Sequence, residues 1–187
     1  MRHLILLRHS LPDIRRDIPA AEWHLSAEGI SRARTFARRL HPNDAACVFT
    51  SREPKAIETA QAIAAELGLD VEAVPGLHEH ERPRAQMLSR EAFEQSVRDL
   101  FARPRELVFG AETADQARRR FTLAVMRLIA PSTADVMIVT HGTVMALFVA
   151  EATGVEPFAF WKRQEMPFGV TLTIPELRLE RTIFPSD

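Results

Sequence analysis

The chain has 187 residues, 46% of them hydrophobic and 26% charged, which is enough apolar material for one sizeable core. Its formal net charge of −1 argues against binding nucleic acid or an anionic membrane through bulk electrostatics. No apolar run reaches membrane-span length, Arg8 and His9 break the first apolar stretch too early for a secretory signal, and the single Cys47 requires no oxidising compartment, so the expectation is a cytoplasmic protein.

The first element is the run LILL at 4–7, continuous enough for a strand buried on both faces. A polar, proline-marked loop follows, up to Ser26, which reads as a helix N-cap. Ile30, Ala33, Ala37 and Leu40 then recur at helical spacing. ACVFT at 46–50 is a second buried strand, with Cys47 as a small core residue. Pro54 opens the next helix, whose Ala56, Ala60, Ile63 and Leu67 share a face and which ends near Gly68. DVEAV at 70–74 reads as a short strand.

Residues 75–112 break this rhythm, with HEHERPR, a helix around 89–102 and RPRELVFGAE. They read as a lid-like insertion over the sheet edge. Thr113 and Gln116 form a capping-box pattern for a helix to about Ile129. Arg120, within RRR, is a candidate brace for the loop carrying the site. DVMIVTH at 135–141 is a third strong strand, and an apolar helix to Thr153 closes at Gly154. Met126, Met137 and Met145 read as core. GVTLTIPELRLERTI at 169–183 alternates around a turn at Pro175 and Glu176. This hairpin is open to two uses, extending the sheet or carrying a homodimer contact. The pattern predicts a single α/β domain over 1–187. It is a three-layer sandwich whose mostly parallel central sheet, flanked by helices, ends in an antiparallel hairpin.

Two buried strands end alike, in LLRHS and VTHGT. Ligands of open α/β sheets bind beyond the carboxyl ends of the strands. His9 and His141 should therefore meet in one crevice. The strand ending FTSREPK aims Arg52 or Lys55 at the same place, and Arg8 adds a charge fixed by rigid backbone. Two imidazoles with at least two cations describe a site for a multiply charged anion, phosphate above all. HEHE at 78–81 also offers metal-type ligands, but without a supporting framework.

The ordered set LLRHS (6–10), HLSAEGISRAR (24–34), TSREPKAIETAQAIA (50–64), GLHEHER (76–82), GAETADQARRR (110–120) and VTHGTVMA (139–146) resembles the histidine phosphatases, the phosphoglycerate mutase-like branch 1 family. The resemblance implies a phosphomonoester hydrolase with a small phosphorylated substrate, no metal and no other cofactor. His9 stands at the nucleophile position, to be phosphorylated in the first of two displacements. Arg8 stands at the phosphate-binding arginine, His141 at the second histidine, and Glu79 at the general acid, with Glu81 as its rival. Crowding and burial should raise the pKa of that acid. Ser10, where the family usually has glycine, and Gly142 join the phosphate-binding candidates.

Lys55 is the sharper departure, because the family pattern calls for arginine there. Of 24 basic residues only Lys55 and Lys162 are lysines, so composition does not explain it. A lysine cannot grip two phosphate oxygens as a planar fork does. The expectation is a phosphoryl group held less rigidly, with Arg52 as a candidate to share the role. Two alternatives follow: a mutase-type phosphoryl transferase, and a catalytically weak phospho-ligand binding domain. LPDIRRD after Ser10 lacks the mutase pattern, and family mutases are usually longer, so the hydrolase is favoured.

Overall fold

In the computed structural model, which describes residues 1–82 and 88–185, the chain folds around one six-stranded sheet. In chain order the elements are β1 (Arg2–Arg8), α1 (Ala27–Ala37), β2 (Cys47–Thr50), α2 (Pro54–Leu67), β3 (Asp70–Ala73) and α3 (Arg90–Ala102). They continue with α4 (Ala114–Ile129), β4 (Val136–Thr140), α5 (Gly142–Thr153), α6 (Pro157–Arg163), β5 (Phe168–Ile174) and β6 (Leu179–Ile183). The strand order is β3-β2-β4-β1-β5-β6. β3, β2, β4 and β1 pair in parallel, whereas β5 and β6 add antiparallel edges. The C-terminal hairpin therefore extends the sheet.

The LILL run is continuous because both faces of β1 are covered. Leu4 and Leu6 pack toward Phe121, Val125 and Phe148 of α4 and α5. Ile5 and Leu7 pack toward Ala33, Phe36, Ala60 and Ile63 of α1 and α2. Three layers result. Each fully buried leucine contributes roughly 1.5–3 kcal/mol, so the strand is anchored firmly up to Arg8.

Capping follows the sequence closely. Ser26 Oγ accepts from Gly29 N, and Thr113 with Gln116 forms a full capping box. Gly68 and Gly154 close α2 and α5 with left-handed φ values of 71° and 77°. Two expectations are corrected. Cys47 is only half-buried, because β2 is flanked there by the short, exposed edge strand β3. Met126 is 43% exposed, since α4 turns Phe121, Ala124 and Val125 inward and leaves Met126 outside; Met137 and Met145 are buried.

The chain leaves β1 for α1 on one face of the sheet and leaves β4 for α5 on the other. β1 and β4 are neighbours, so their carboxyl ends flank a topological switch point, where open sheets part to form a crevice.

Candidate active site

The parallel register of β1 and β4 pairs Arg8 with Thr140, and His9 N continues the ladder by donating to Thr140 O at 2.9 Å. Ser51 N donates to Val139 O at 3.1 Å on the other side of β4. Three strand ends are thus tied together, and His9, His141 and Ser51 meet at the switch point. The His9 and His141 ring centroids lie 5.2 Å apart, edge to face.

His9 is 7% exposed, and its Nδ1 lies 2.7 Å from Ser10 O. A carbonyl only accepts, so Nδ1 carries the proton and Nε2 keeps its lone pair. Burial, then His141, Arg8 and Lys55, hold the His9 pKa well below 6.5, so the ring is neutral. Burial and Lys55 do the same to His141, although Glu79 opposes them. His141 Nε2 lies 2.8 Å from Ser51 Oγ and 3.3 Å from Glu53 Oε1, while its buried Nδ1 has no partner among the described residues.

Arg8 is fixed from the far side of the switch point. Its Nη1 donates to Gln164 O at 2.6 Å, and its buried Nε has no partner among the described residues. Burial lowers its pKa to about 10, so it stays charged at neutral pH. Gln164 Nε2 in turn donates to Gly142 O at 3.2 Å. A Cβ on Gly142 would lie 3.2 Å from Arg8 Cζ and 3.0 Å from Gln164 Oε1, so only glycine fits comfortably against this guanidinium.

Ser10 is fully buried and turned toward the scaffold. Its Oγ donates to Gly29 O at 2.7 Å and its N donates to Thr59 Oγ1 at 2.9 Å. Its hydroxyl proton is spent there; what Ser10 offers the site is the carbonyl that orients His9. Arg52 is exposed, with no hydrogen bond or ion pair among the described residues.

Lys55, by contrast, is 5% exposed and pinned. Its Nζ donates to Ala20 O at 2.7 Å and to Glu53 Oε2 at 2.5 Å, so the expected loose point charge is held in place.

Glu79 rests on the first turn of α5. Thr143 N donates to its Oε2 at 3.1 Å and Val144 N to its Oε1 at 3.2 Å. Its Oε1 also accepts from His80 N at 2.8 Å, and Arg82 Nη2 lies 3.4 Å from its Oε2. Burial alone would raise its pKa, but Arg82, His141 and the amides of His80 and Thr143 outweigh it. The carboxyl is held well below the usual carboxylate range. This reverses the expected upward shift: charge and helix-end amides win over desolvation. Glu81 is half-exposed and lies 3.2 Å from His78 Nε2 instead. His80 Nε2 is spent on Glu112 O at 2.7 Å. Among the described residues, no group of three or more His, Cys, Asp or Glu is arranged to hold a metal ion.

Arg120 does brace the loop. It donates from Nη1 to Gly76 O at 3.0 Å and His78 O at 2.9 Å, and from Nη2 to Glu79 O at 3.1 Å, while it pairs with Glu112. Sequence reasoning missed three residues. Arg82 Nη2 donates to Thr143 Oγ1 at 2.9 Å, and its guanidinium lies 5.2 Å from the Phe93 and Phe109 ring centroids. Its only signal was its place in GLHEHER. Glu53 was overlooked between Arg52 and Lys55. Gln164 follows α6, where nothing in the pattern marks it.

The fold and this arrangement have a family. A profile of the histidine phosphatase superfamily (branch 1) matches residues 4–177, so the chain belongs to that superfamily. No curated protein sequence matches it. Among solved structures it is similar to a mycobacterial glucosyl-3-phosphoglycerate phosphatase, at 18% identity over 100% of this chain and 99% of that one, with a TM-score of 0.75. It is similar to Bacillus stearothermophilus YhfR at 19% identity, over 100% and 98% of the two chains, with a TM-score of 0.77. The alpha-ribazole phosphatase of Shigella flexneri aligns at 19% identity over 97% and 95%, with a TM-score of 0.70. At such identities these likenesses speak for the fold.

Proposed function

We propose that the protein is a metal-independent phosphomonoester hydrolase that works through a phosphohistidine on His9. The observation that carries the reading is the His9 ring itself: neutral, with Nδ1 committed to Ser10 O, and therefore with a lone pair on Nε2 beside His141 and Arg8. Nε2 attacks phosphorus as the ester oxygen departs. Water then attacks the phosphohistidine, returning His9 and releasing phosphate. Arg8, Lys55 and Arg82 supply the positive charge that a transferring phosphoryl group requires.

Glu79 serves as the acid that protonates the leaving oxygen and as the base that activates water. Its low resting pKa is compatible with that role because its partners are also phosphate ligands. An entering phosphate dianion competes for the α5 amides and Arg82, and its charge repels a carboxylate. Both effects raise the Glu79 pKa when substrate is bound. The segment 75–112 acts as a lid within the single domain; its residues 83–87 lie outside the described ones. Two of the similar solved structures are named as phosphatases of small molecules, which supports a small phosphorylated substrate here.

The test is phosphate release from a generic aryl phosphate in the presence of a chelator. Activity that persists in chelator and disappears in His9→Ala supports the proposal. Activity that needs an added divalent cation, or that survives in His9→Ala, contradicts it.

A further inference from the structure

Glu53 stands at a helix start, where its charge suits the helix dipole but its side chain is longer than the usual caps. It occupies the N-cap of α2, a position that favours Ser, Thr, Asp or Asn, yet its side chain caps nothing. Its carboxylate is instead turned inward, 11% exposed, among groups proposed to bind phosphate. A negative charge beside a dianion site opposes binding, so its presence there calls for a compensating gain.

We infer that Glu53 is a positioning residue that fixes the Lys55 ammonium at the phosphate crevice. The inference rests on the phosphatase reading for its catalytic consequence. An ammonium has three donors. Ala20 O takes one at 2.7 Å and Glu53 Oε2 a second at 2.5 Å, so that among the described residues the third has no partner and can serve a ligand. The Lys55 charge is felt by both His9 and His141, which places it within electrostatic reach of each ring. A guanidinium fork carries its own geometry, whereas a lysine acquires one only from its surroundings. Glu53 supplies that geometry with one oxygen. With the other it accepts from Glu79 N at 2.9 Å and faces His141 Nε2 at 3.3 Å. One carboxylate thus sets the spacing of Lys55, the Glu79 loop and the second histidine. The lysine at 55 and the glutamate at 53 form a single device, and Lys55→Arg alone breaks it, because the larger head displaces the ammonium from between Ala20 O and Glu53.

The chain has only two lysines, which makes the test direct. Lysine-selective NMR reads each ammonium separately, with the half-exposed Lys162 as internal control. In the parent, the Lys55 ammonium should be immobile and protected from hydrogen exchange. In Glu53→Gln it should lose that protection while Lys162 does not change. On an aryl phosphate, Glu53→Gln should lower kcat roughly 10–100-fold, the loss expected when one positioned contact is set free. Its Kd for inorganic phosphate should stay equal or tighten, since a repelling charge is gone. In a Lys55→Ala background the same substitution should have little further effect on kcat. Lys55→Arg should also be slower than the parent. An unchanged Lys55 signal in Glu53→Gln overturns the inference. So does a joint loss of phosphate affinity and thermal stability, which marks a merely structural role, and so does an equal kcat loss with and without Lys55. If the parent turns over no phosphate ester, the phosphatase reading fails, and the NMR signal still decides whether Glu53 holds Lys55.

Discussion

The His9 and His141 rings meet edge to face, their centroids 5.2 Å apart, from the ends of two adjacent parallel strands. Neither ring can accept a proton cheaply. Both are buried, which is the largest cause for each; Lys55 opposes a positive charge on either ring, Arg8 opposes one on His9, and Arg82 opposes one on His141. The pair is therefore two neutral imidazoles within the field of buried cations.

That arrangement makes stability depend on pH in a stated direction. Both histidine pKa values are lowered by folding, burial being the largest cause. The unfolded chain then binds protons that the folded one refuses. The stabilisation is fully present above the unfolded value of about 6.5 and is lost as pH falls below it, at up to about 1.4 kcal/mol per pH unit for each histidine. Glu79, also lowered, adds a loss of the same sign in a more acidic window. Urea titrations from pH 8 to 5 should show the decline, with a shallower slope in His141→Gln. Identical slopes in the two proteins would remove the histidine pair as its cause.

Glu79→Gln should reduce turnover far more for alkyl phosphates than for aryl phosphates. An aryl oxide departs with little help from an acid, whereas an alkoxide needs the proton. The expected gap between the two losses is on the order of 100-fold, within the usual range for general acid catalysis. Comparable losses on both substrates would take Glu79 out of the acid role, and the same series on Glu81→Gln would show whether its neighbour fills it.

Arg82 sits between Glu79, Thr143 and the rings of Phe93 and Phe109. Arg82→Lys keeps the charge but loses the fork and much of the stacking. KM for an aryl phosphate should rise about 10-fold, with weaker inhibition by inorganic phosphate; about 1.4 kcal/mol of binding corresponds to that change. An unchanged KM would confine Arg82 to packing under α3.

Gly29→Ala tests how the scaffold reaches His9. A Cβ there would come within 2.1 Å of Leu11 O, a backbone atom that also holds Ser26 N at 3.1 Å. The helix must shift, at a cost of about 1–3 kcal/mol. Gly29 O anchors Ser10 Oγ, and Ser10 O orients His9, so kcat should fall along with the melting temperature. A variant that melts lower with unchanged kcat would break that link.

Much of the site could be read from strand ends. LILL, MIVT and CVFT are apolar runs whose termini topology must bring together, so Arg8, His9 and His141 followed from pattern; the end of CVFT left Arg52 and Lys55 both open, and the family resemblance singled out Lys55. Capping signals at Ser26, Thr113, Gly68 and Gly154 were equally local and equally legible. What escaped were side chains whose meaning depends on three-dimensional neighbours. Gln164 reaches Arg8 across a turn that no periodicity encodes. Glu53 reads as one more charge at a helix start until its partners are known. The Glu79 pKa went the other way because burial was visible in a crowded motif, while the α5 amides and Arg82 were not. Met126 misled because helical spacing does not say which side of a stripe faces the sheet.

The central claim is that His9 carries the phosphoryl group. The protein should be mixed with an aryl phosphate, quenched in alkali within the first turnover, digested and analysed for phosphorylated peptides. A phosphoryl group on the His9 peptide, stable in alkali, lost in acid and missing from His9→Ala, is the predicted result. Steady turnover with no phosphoryl group on His9 at any quench time, and with activity retained in His9→Ala, would contradict the account.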